Sequence, residues 1–213
     1  MSEPSPAYFD ALEASKAHHA GSKTFSGRFL RPHAPFIKEI IDRLGCTSVL
    51  DYGAGKGTQY EWVMPVRGVT LEEFWGVPVT KYDPAWPPYA KEPEGPFDLV
   101  LCTHVLGSIP LTDLPWVIDR LYALAARALY VAEKIGPLKK KVFSDPKAMP
   151  HDWRPEQWRE SLYRRSRWQE VTLATRERIE TDEVLMEHWR LTADVHHWTK
   201  VETGIKPFDH RTA

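Results

Sequence analysis

Apolar residues recur along this chain with two periods, and the alternation between them sets the order of its elements. Phe36, Ile37, Ile40, Ile41 and Leu44 fall on one helical face, with Pro35 suited to the first turn and Gly45 to the stop. Val49-Leu50, bounded by Asp51, is β-favouring, and a helix is expected from Thr58 to Met64, halted by Pro65. Residues 66–76 are ambiguous. Val77 to Tyr82 then reads as a strand with Asp83 at its tip, and Asp98 to Thr103 as another. From Leu111 to Ala126 the helical period returns, carried by Leu114, Val117, Ile118, Leu121 and Leu124. Ala128 to Ala132 is strand-like, with Glu133-Lys134 at its carboxyl end. Strand and helix alternate, so the sheet should be mainly parallel with right-handed crossovers.

The flanks are less regular. Residues 1–24 are rich in Ser, Ala and Pro and read as a flexible arm, in which Tyr8, Phe9 and Leu12 could form a short amphipathic helix. His18-His19 reads as a solvated pair, since no other metal ligand lies at helical spacing. Phe25 to His33 mixes aromatics with Arg28 and Arg31, which suits either a lid carrying substrate contacts or a packed surface segment. Residues 135–152 form a proline- and lysine-rich loop, followed by a short helix from about Pro155 with Trp158, Leu162 and Tyr163. Val171 to Thr175 and Val184 to Leu191 alternate as a closing antiparallel pair. The division is an arm (1–24), one domain (25–198) and a polar tail (199–213).

Composition narrows this further. At 213 residues, 42% hydrophobic and 27% charged, the chain suits one soluble α/β domain. A formal net charge of -1 creates no overall field toward nucleic acid or membrane. Cys46 and Cys102 have no CxxC spacing and sit in apolar stretches, which fits reduced thiols. The amino terminus has no basic-then-apolar pattern and no apolar run reaches spanning length, so the cytoplasm is expected. Charge is uneven, however. From Lys134 to Arg178 twelve cations, Lys139, Lys140 and Lys141 among them, stand against six acids, interleaved with Trp153, Trp158, Tyr163 and Trp168. That stretch could stack single-stranded nucleic acid, grip an anionic small molecule, or simply be a solvated basic face.

The chemistry concentrates at Asp51-Tyr52-Gly53-Ala54-Gly55-Lys56-Gly57. Alternate glycines let the backbone turn tightly and approach a ligand, at the sheet edge where open α/β folds bind them. The spacing is G-x-G-x-G, not the G-x-G-x-x-G of dinucleotide sites. This run resembles the first motif of class I S-adenosylmethionine (SAM) dependent methyltransferases. Tyr82-Asp83-Pro84 and Phe97 to His104 fall where that family's second and fourth strands would lie. The resemblance spans roughly Phe36 to Lys134. It implies a Rossmann-like, mainly parallel sheet with helices on both faces and a C-terminal antiparallel pair. It also implies that Asp51, Gly53 and Gly55 line the methionine part of SAM and that Gly57 supports the loop. Tyr82, Asp83 and His104 would complete the cofactor contacts, with Asp83 on the ribose. Between Asp83 and Phe97 the chain departs from the family. Pro84, Pro87, Pro88, Pro93 and Pro96 exclude the usual helix and third strand, so that region is expected to be truncated. Trp86 and Tyr89 are then the candidates to stack on adenine.

Methyl transfer asks the protein mainly to align donor and acceptor, with a base only for a weakly nucleophilic hydroxyl. Candidate bases are His104, Glu133 and His151; each also has a structural reading, as a packed histidine, a partner of Lys134 and a helix-entry residue beside Asp152. Trp153 and Arg154, with Arg28 and Arg31, are candidate substrate contacts. No metal is expected. Thr103-His104-Val105-Leu106 lacks the N/D-P-P-aromatic pattern of amino-group DNA methylases, and Cys102 lacks a following proline. The leading expectation is methylation of oxygen or nitrogen on a small molecule. Methylation of RNA or DNA through the basic, Trp-rich third, and a SAM-binding module without transferase activity, stand as alternatives.

Overall fold

The strand that leads into the glycine run lies inside the sheet. In the computed structural model β1 (Val49–Tyr52) pairs in parallel with β2 (Val79–Tyr82) on one side and with β3 (Phe97–Thr103) on the other. The structure describes residues 3–21, 25–132, 172–178 and 189–199; of Arg28 and of the last two stretches only the backbone is described. Parallel β4 (Ala125–Ala132) follows β3, and β6 (Trp189–Thr199) and β5 (Thr172–Arg178) add antiparallel, giving the order β2-β1-β3-β4-β6-β5. This is the expected mainly parallel α/β sheet with its closing pair. The chain reverses direction of build-out at β1, the switch point where such sheets bind ligands.

Alternation along the strands divides the core in two. Val49, Val79, Leu99, Leu101 and Tyr130 face α2 (Ala34–Leu44) and α3 (Leu71–Trp75). Leu50, Tyr52, Tyr82, Val100, Cys102 and Leu129 face α4 (Leu114–Leu124) and α1 (Pro6–Gly21). Cys102 is a packed core residue on this second face. The expected apolar residues of α2 and α4 become buried, except Phe36, which is half-buried. Gly45, at φ 58, ends α2 while Cys46 N–H donates back to Ile41 O at 2.9 Å. Thr70 and Glu73 form a capping box at the start of α3, where the sequence pattern was ambiguous. Trp75 Nε1 donates to Ala34 O at 3.0 Å and ties α3 to α2.

Two expectations change and one holds. No helix follows the glycine run: residues 58–61 make a turn, which points the adjacent Gln59 and Tyr60 both inward. A helix would have splayed neighbouring side chains apart. The start of the chain, read as an arm with at most a short helix, is the 16-residue α1 packed on the domain. Ser5 N and Oγ both donate to Asp113 at 2.7 Å, and Tyr8 packs edge-on against Trp116. Finally, the proline-rich stretch from Pro84 to Pro96 holds a single 3-10 turn, Pro87–Tyr89, and no strand, as its prolines demanded. Among the described residues no helix is long and apolar enough to cross a membrane.

Candidate functional site

The carboxyl ends of β1, β2 and β3 converge on the glycine loop. Gly53, Gly55 and Gly57 take φ of 86, 59 and 68, a left-handed backbone open to glycine at little cost. The space where side chains would stand is filled. A Cβ on Gly53 would meet Val105 at 2.2 Å, one on Gly55 would meet Phe25 O at 2.3 Å, and one on Gly57 would meet Tyr89 at 2.7 Å. Tyr89 therefore packs directly against the loop at Gly57. Among the described residues, the two non-glycine residues with left-handed backbone are Phe25 (φ 54) and His104 (φ 57), and both stand at this loop.

The hydrogen bonds of the loop have a definite polarity. Gly53 and Ala54 N–H donate to Tyr82 O at 2.7 and 3.0 Å, and Gly55 N–H donates to Asp83 Oδ2 at 2.8 Å. Lys56 N–H donates to Phe25 O at 2.7 Å, Gly57 to Ala54 O at 3.1 Å and Thr58 to Ser26 O at 3.1 Å. Every backbone donor from Gly53 to Thr58 is thus engaged. A phosphate cradle needs several free N–H groups, often at a helix start. This loop has neither.

Acceptors, in contrast, are left over. Asp51 is 2% exposed; its Oδ2 accepts from Tyr60 OH at 2.8 Å and from Gln59 Nε2 at 3.2 Å, while Oδ1 has no partner among the described residues. Gln59 is fully buried and its Oε1 is also without a donor among the described residues. Burial pushes the Asp51 carboxyl up to about 6, against the hydrogen bonds from Tyr60 and Gln59 that favour the ionised form. Asp83 is likewise pushed up by burial, although Gly55 and Ala85 N–H donate to its two oxygens. Buried acceptors without donors carry an energetic penalty that a cationic or hydroxyl-bearing ligand would remove.

The remaining expected residues divide clearly. Tyr82 serves the loop through its carbonyl, while its hydroxyl turns away and donates to Glu92 at 2.7 Å. His104 follows β3, its N–H donates to Ala132 O at 2.8 Å, and its ring tilts against Phe29 with centroids 4.8 Å apart. The Arg31 guanidinium lies 4.4 Å from the Trp62 ring centre. Trp86 has Lys56 Nζ 5.2 Å from its ring centre. The Arg28 side chain, Glu133, His151, Trp153, Arg154 and the Lys139 to Lys141 run lie outside the described residues.

Three contributors were missed in the sequence. Gln59 and Tyr60 hold Asp51, and the signal available was a polar–aromatic pair just after the glycine run. The third is His19, expected to be solvated but 2% exposed and 3.9 Å from Asp83 Oδ2. Its spacing from Tyr8, Ala11 and Ser15 is helical, so the buried face of α1 was present in the pattern.

A sequence profile described as a methyltransferase domain matches residues 23–166, more than half of the chain. No curated protein matches it. Among solved structures, 1,6-didemethyltoxoflavin-N1-methyltransferase of Burkholderia thailandensis, with bound 1,6-didemethyltoxoflavin and S-adenosylhomocysteine, is 19% identical. That similarity has a TM-score of 0.47 and covers 92% of this chain and 89% of that one. A SAM-dependent methyltransferase of Archaeoglobus fulgidus is 16% identical, TM-score 0.42, over 76% of this chain and 85% of that one. An O-methyltransferase candidate of Nostoc punctiforme is 11% identical, TM-score 0.44, over 82% of this chain, which spans 66% of that protein. Likenesses this loose leave the site to be read from its own residues.

Proposed function

This chain belongs to the methyltransferase-domain family, and from that premise we propose that it transfers the methyl group of SAM to an oxygen or nitrogen of a small molecule. The observation that carries the reading is the polarity of the loop. All its backbone donors are engaged, while the buried acceptors Asp51 Oδ1 and Gln59 Oε1 have no donor among the described residues. That arrangement rejects a polyphosphate and suits a ligand with an ammonium group. SAM fits, since it presents an ammonium for Asp51 and Gln59 and a ribose diol for Asp83. Bound there, it would supply the electrophilic methyl group for an in-line displacement.

The residues of the chain then have distinct tasks. Asp51, held by Tyr60 and Gln59, orients the amino-acid end. Asp83, held by Gly55 and Ala85 N–H, accepts from the ribose. Phe25 to Gly27, lying on the loop, excludes water from the reacting atoms. His104 stands at the tip of β3 on the acceptor side, with its backbone fixed by Ala132, and takes a proton from a hydroxyl or amine acceptor.

The direct test is calorimetry of the purified protein with SAM, S-adenosylhomocysteine, ATP and NAD. Micromolar binding of the first two and none of the last two is expected. Binding of ATP or NAD with no binding of either adenosyl amino acid would refute the reading. For His104→Ala, turnover should fall at least tenfold while S-adenosylhomocysteine affinity holds; parallel loss of both would make His104 structural.

A further inference from the structure

Helix α1 brings His19 to the acid that the family motif reserves for ribose, and its ring is held from three sides. Phe25 stacks on it with centroids 4.5 Å apart and planes within 13°, and Trp86 lies beyond at 6.2 Å and 29°. His19 Nδ1 is 2.8 Å from Ser15 O. A carbonyl can only accept, so Nδ1 carries the proton and donates. In the neutral ring Nε2 is then an acceptor, and among the described residues it has no hydrogen-bond partner. It faces Asp83 Oδ2 at 3.9 Å, too far for a proton to be shared directly. With the ring neutral, two buried acceptors stand 3.9 Å apart with no donor between them.

We propose that His19 is a cofactor-binding residue: with Asp83 it forms a two-acceptor clamp on the vicinal diol of an adenosine ribose, one hydroxyl donating to each. This rests on the SAM reading above and extends it to the half of the cofactor whose usual third-strand contacts are missing from this chain. A diol supplies the two O–H donors that the gap lacks. Acceptors each about 2.8 Å from a hydroxyl oxygen can stand 3.9 Å apart without strain. The recognised ligand class is a ribonucleoside with both hydroxyls free, and the selectivity is against deoxyribose. Because α1 is latched at its other end by Ser5 on Asp113, the histidine is delivered by a fixed helix.

The test compares S-adenosylhomocysteine with its 2′-deoxy and 3′-deoxy ribose analogues, by calorimetry, on wild type and His19→Phe. Phenylalanine keeps the stack between Phe25 and Trp86 and removes the acceptor. Wild type should lose about tenfold in affinity for the analogue lacking the hydroxyl on His19, one neutral hydrogen bond, and about ten- to a hundredfold for the one lacking the hydroxyl on Asp83, a bond to a charged group. His19→Phe should bind S-adenosylhomocysteine about tenfold more weakly and should no longer distinguish it from one of the two analogues. In the intact wild type, the ¹⁵N resonance of His19 Nε2 should shift on adding S-adenosylhomocysteine and stay in place with that same analogue, a reading independent of the variant's folding. Wild-type binding of S-adenosylhomocysteine with both discriminations intact in His19→Phe, or with an unmoved Nε2 resonance, would overturn the clamp and leave the SAM reading standing. No binding by wild type at all would overturn both.

Discussion

Asp51 is costly to the empty protein and useful to the loaded one, so replacing it by asparagine should move stability and binding in opposite directions. Burial raises its carboxyl from 3.8 to about 6 in the folded chain. Between those values the folded state holds a proton that the unfolded state has released, so stability falls as pH rises from about 4 to about 6 and is level above that. A shift of roughly two units corresponds to about 3 kcal/mol. Asp51→Asn cannot ionise. Its stability relative to wild type should therefore climb through that window and reach a gain of up to about 3 kcal/mol at pH 7, reduced by any weaker bond from Tyr60 OH. Asp83, also raised by burial, and Lys81 nearby are present in both proteins, so they largely cancel in the difference. Urea denaturation at half-unit steps from pH 4 to 8 measures the effect. Calorimetry of the same variant should show S-adenosylhomocysteine bound roughly ten- to a hundredfold more weakly, the size of a hydrogen bond to a charged group. A stability difference that does not vary with pH would refute the buried-acid reasoning, and unchanged affinity would refute its link to the ligand.

Other perturbations probe other parts of the site. Gly55→Ala must displace Phe25 O, 2.3 Å from the new Cβ, and hold a left-handed φ of 59, so it should cost about 2 kcal/mol or more in urea melts and weaken S-adenosylhomocysteine binding. Asp113→Ala removes both latches from Ser5 and should cost about 1–3 kcal/mol, and hydrogen exchange should speed up in α1 ahead of the sheet. Tyr60→Phe removes the shorter of the two bonds on Asp51 and should move its titration further above 6, read as a wider pH window in the same denaturation series.

What could be read from the chain was local. Ile37, Ile40, Ile41 and Leu44, or Leu114, Val117, Ile118 and Leu121, carry their helix in their own spacing, and the strand tips at Asp51 and Asp83 follow from β-favouring residues ended by a charge. The helix expected at Thr58 failed for a non-local reason. Asp51, buried at the strand end, needs donors, and a turn that aims Gln59 and Tyr60 together supplies two. Likewise His19 could not be placed from its neighbours, because what buries it (Phe25, Trp86 and Asp83) lies across the fold.

The missing third-strand unit and the docked helix are connected. With Pro84 to Pro96 unable to form a helix or a strand, β2 becomes the sheet edge, and the core face carrying Tyr52 and Tyr82 needs another cover. Helix α1 provides it: Tyr8 and Leu12 pack in the same cluster as those tyrosines and α4. A helix lying there with its start latched at Asp113 carries its last turn to Asp83. The substitution that completes the core therefore also fixes which residue faces the ribose acid. On this account the two roles separate by position along one helix. Changes near Ser5 and Tyr8 should lower stability first and binding as a consequence, whereas changes at His19 should lower binding with little loss of stability.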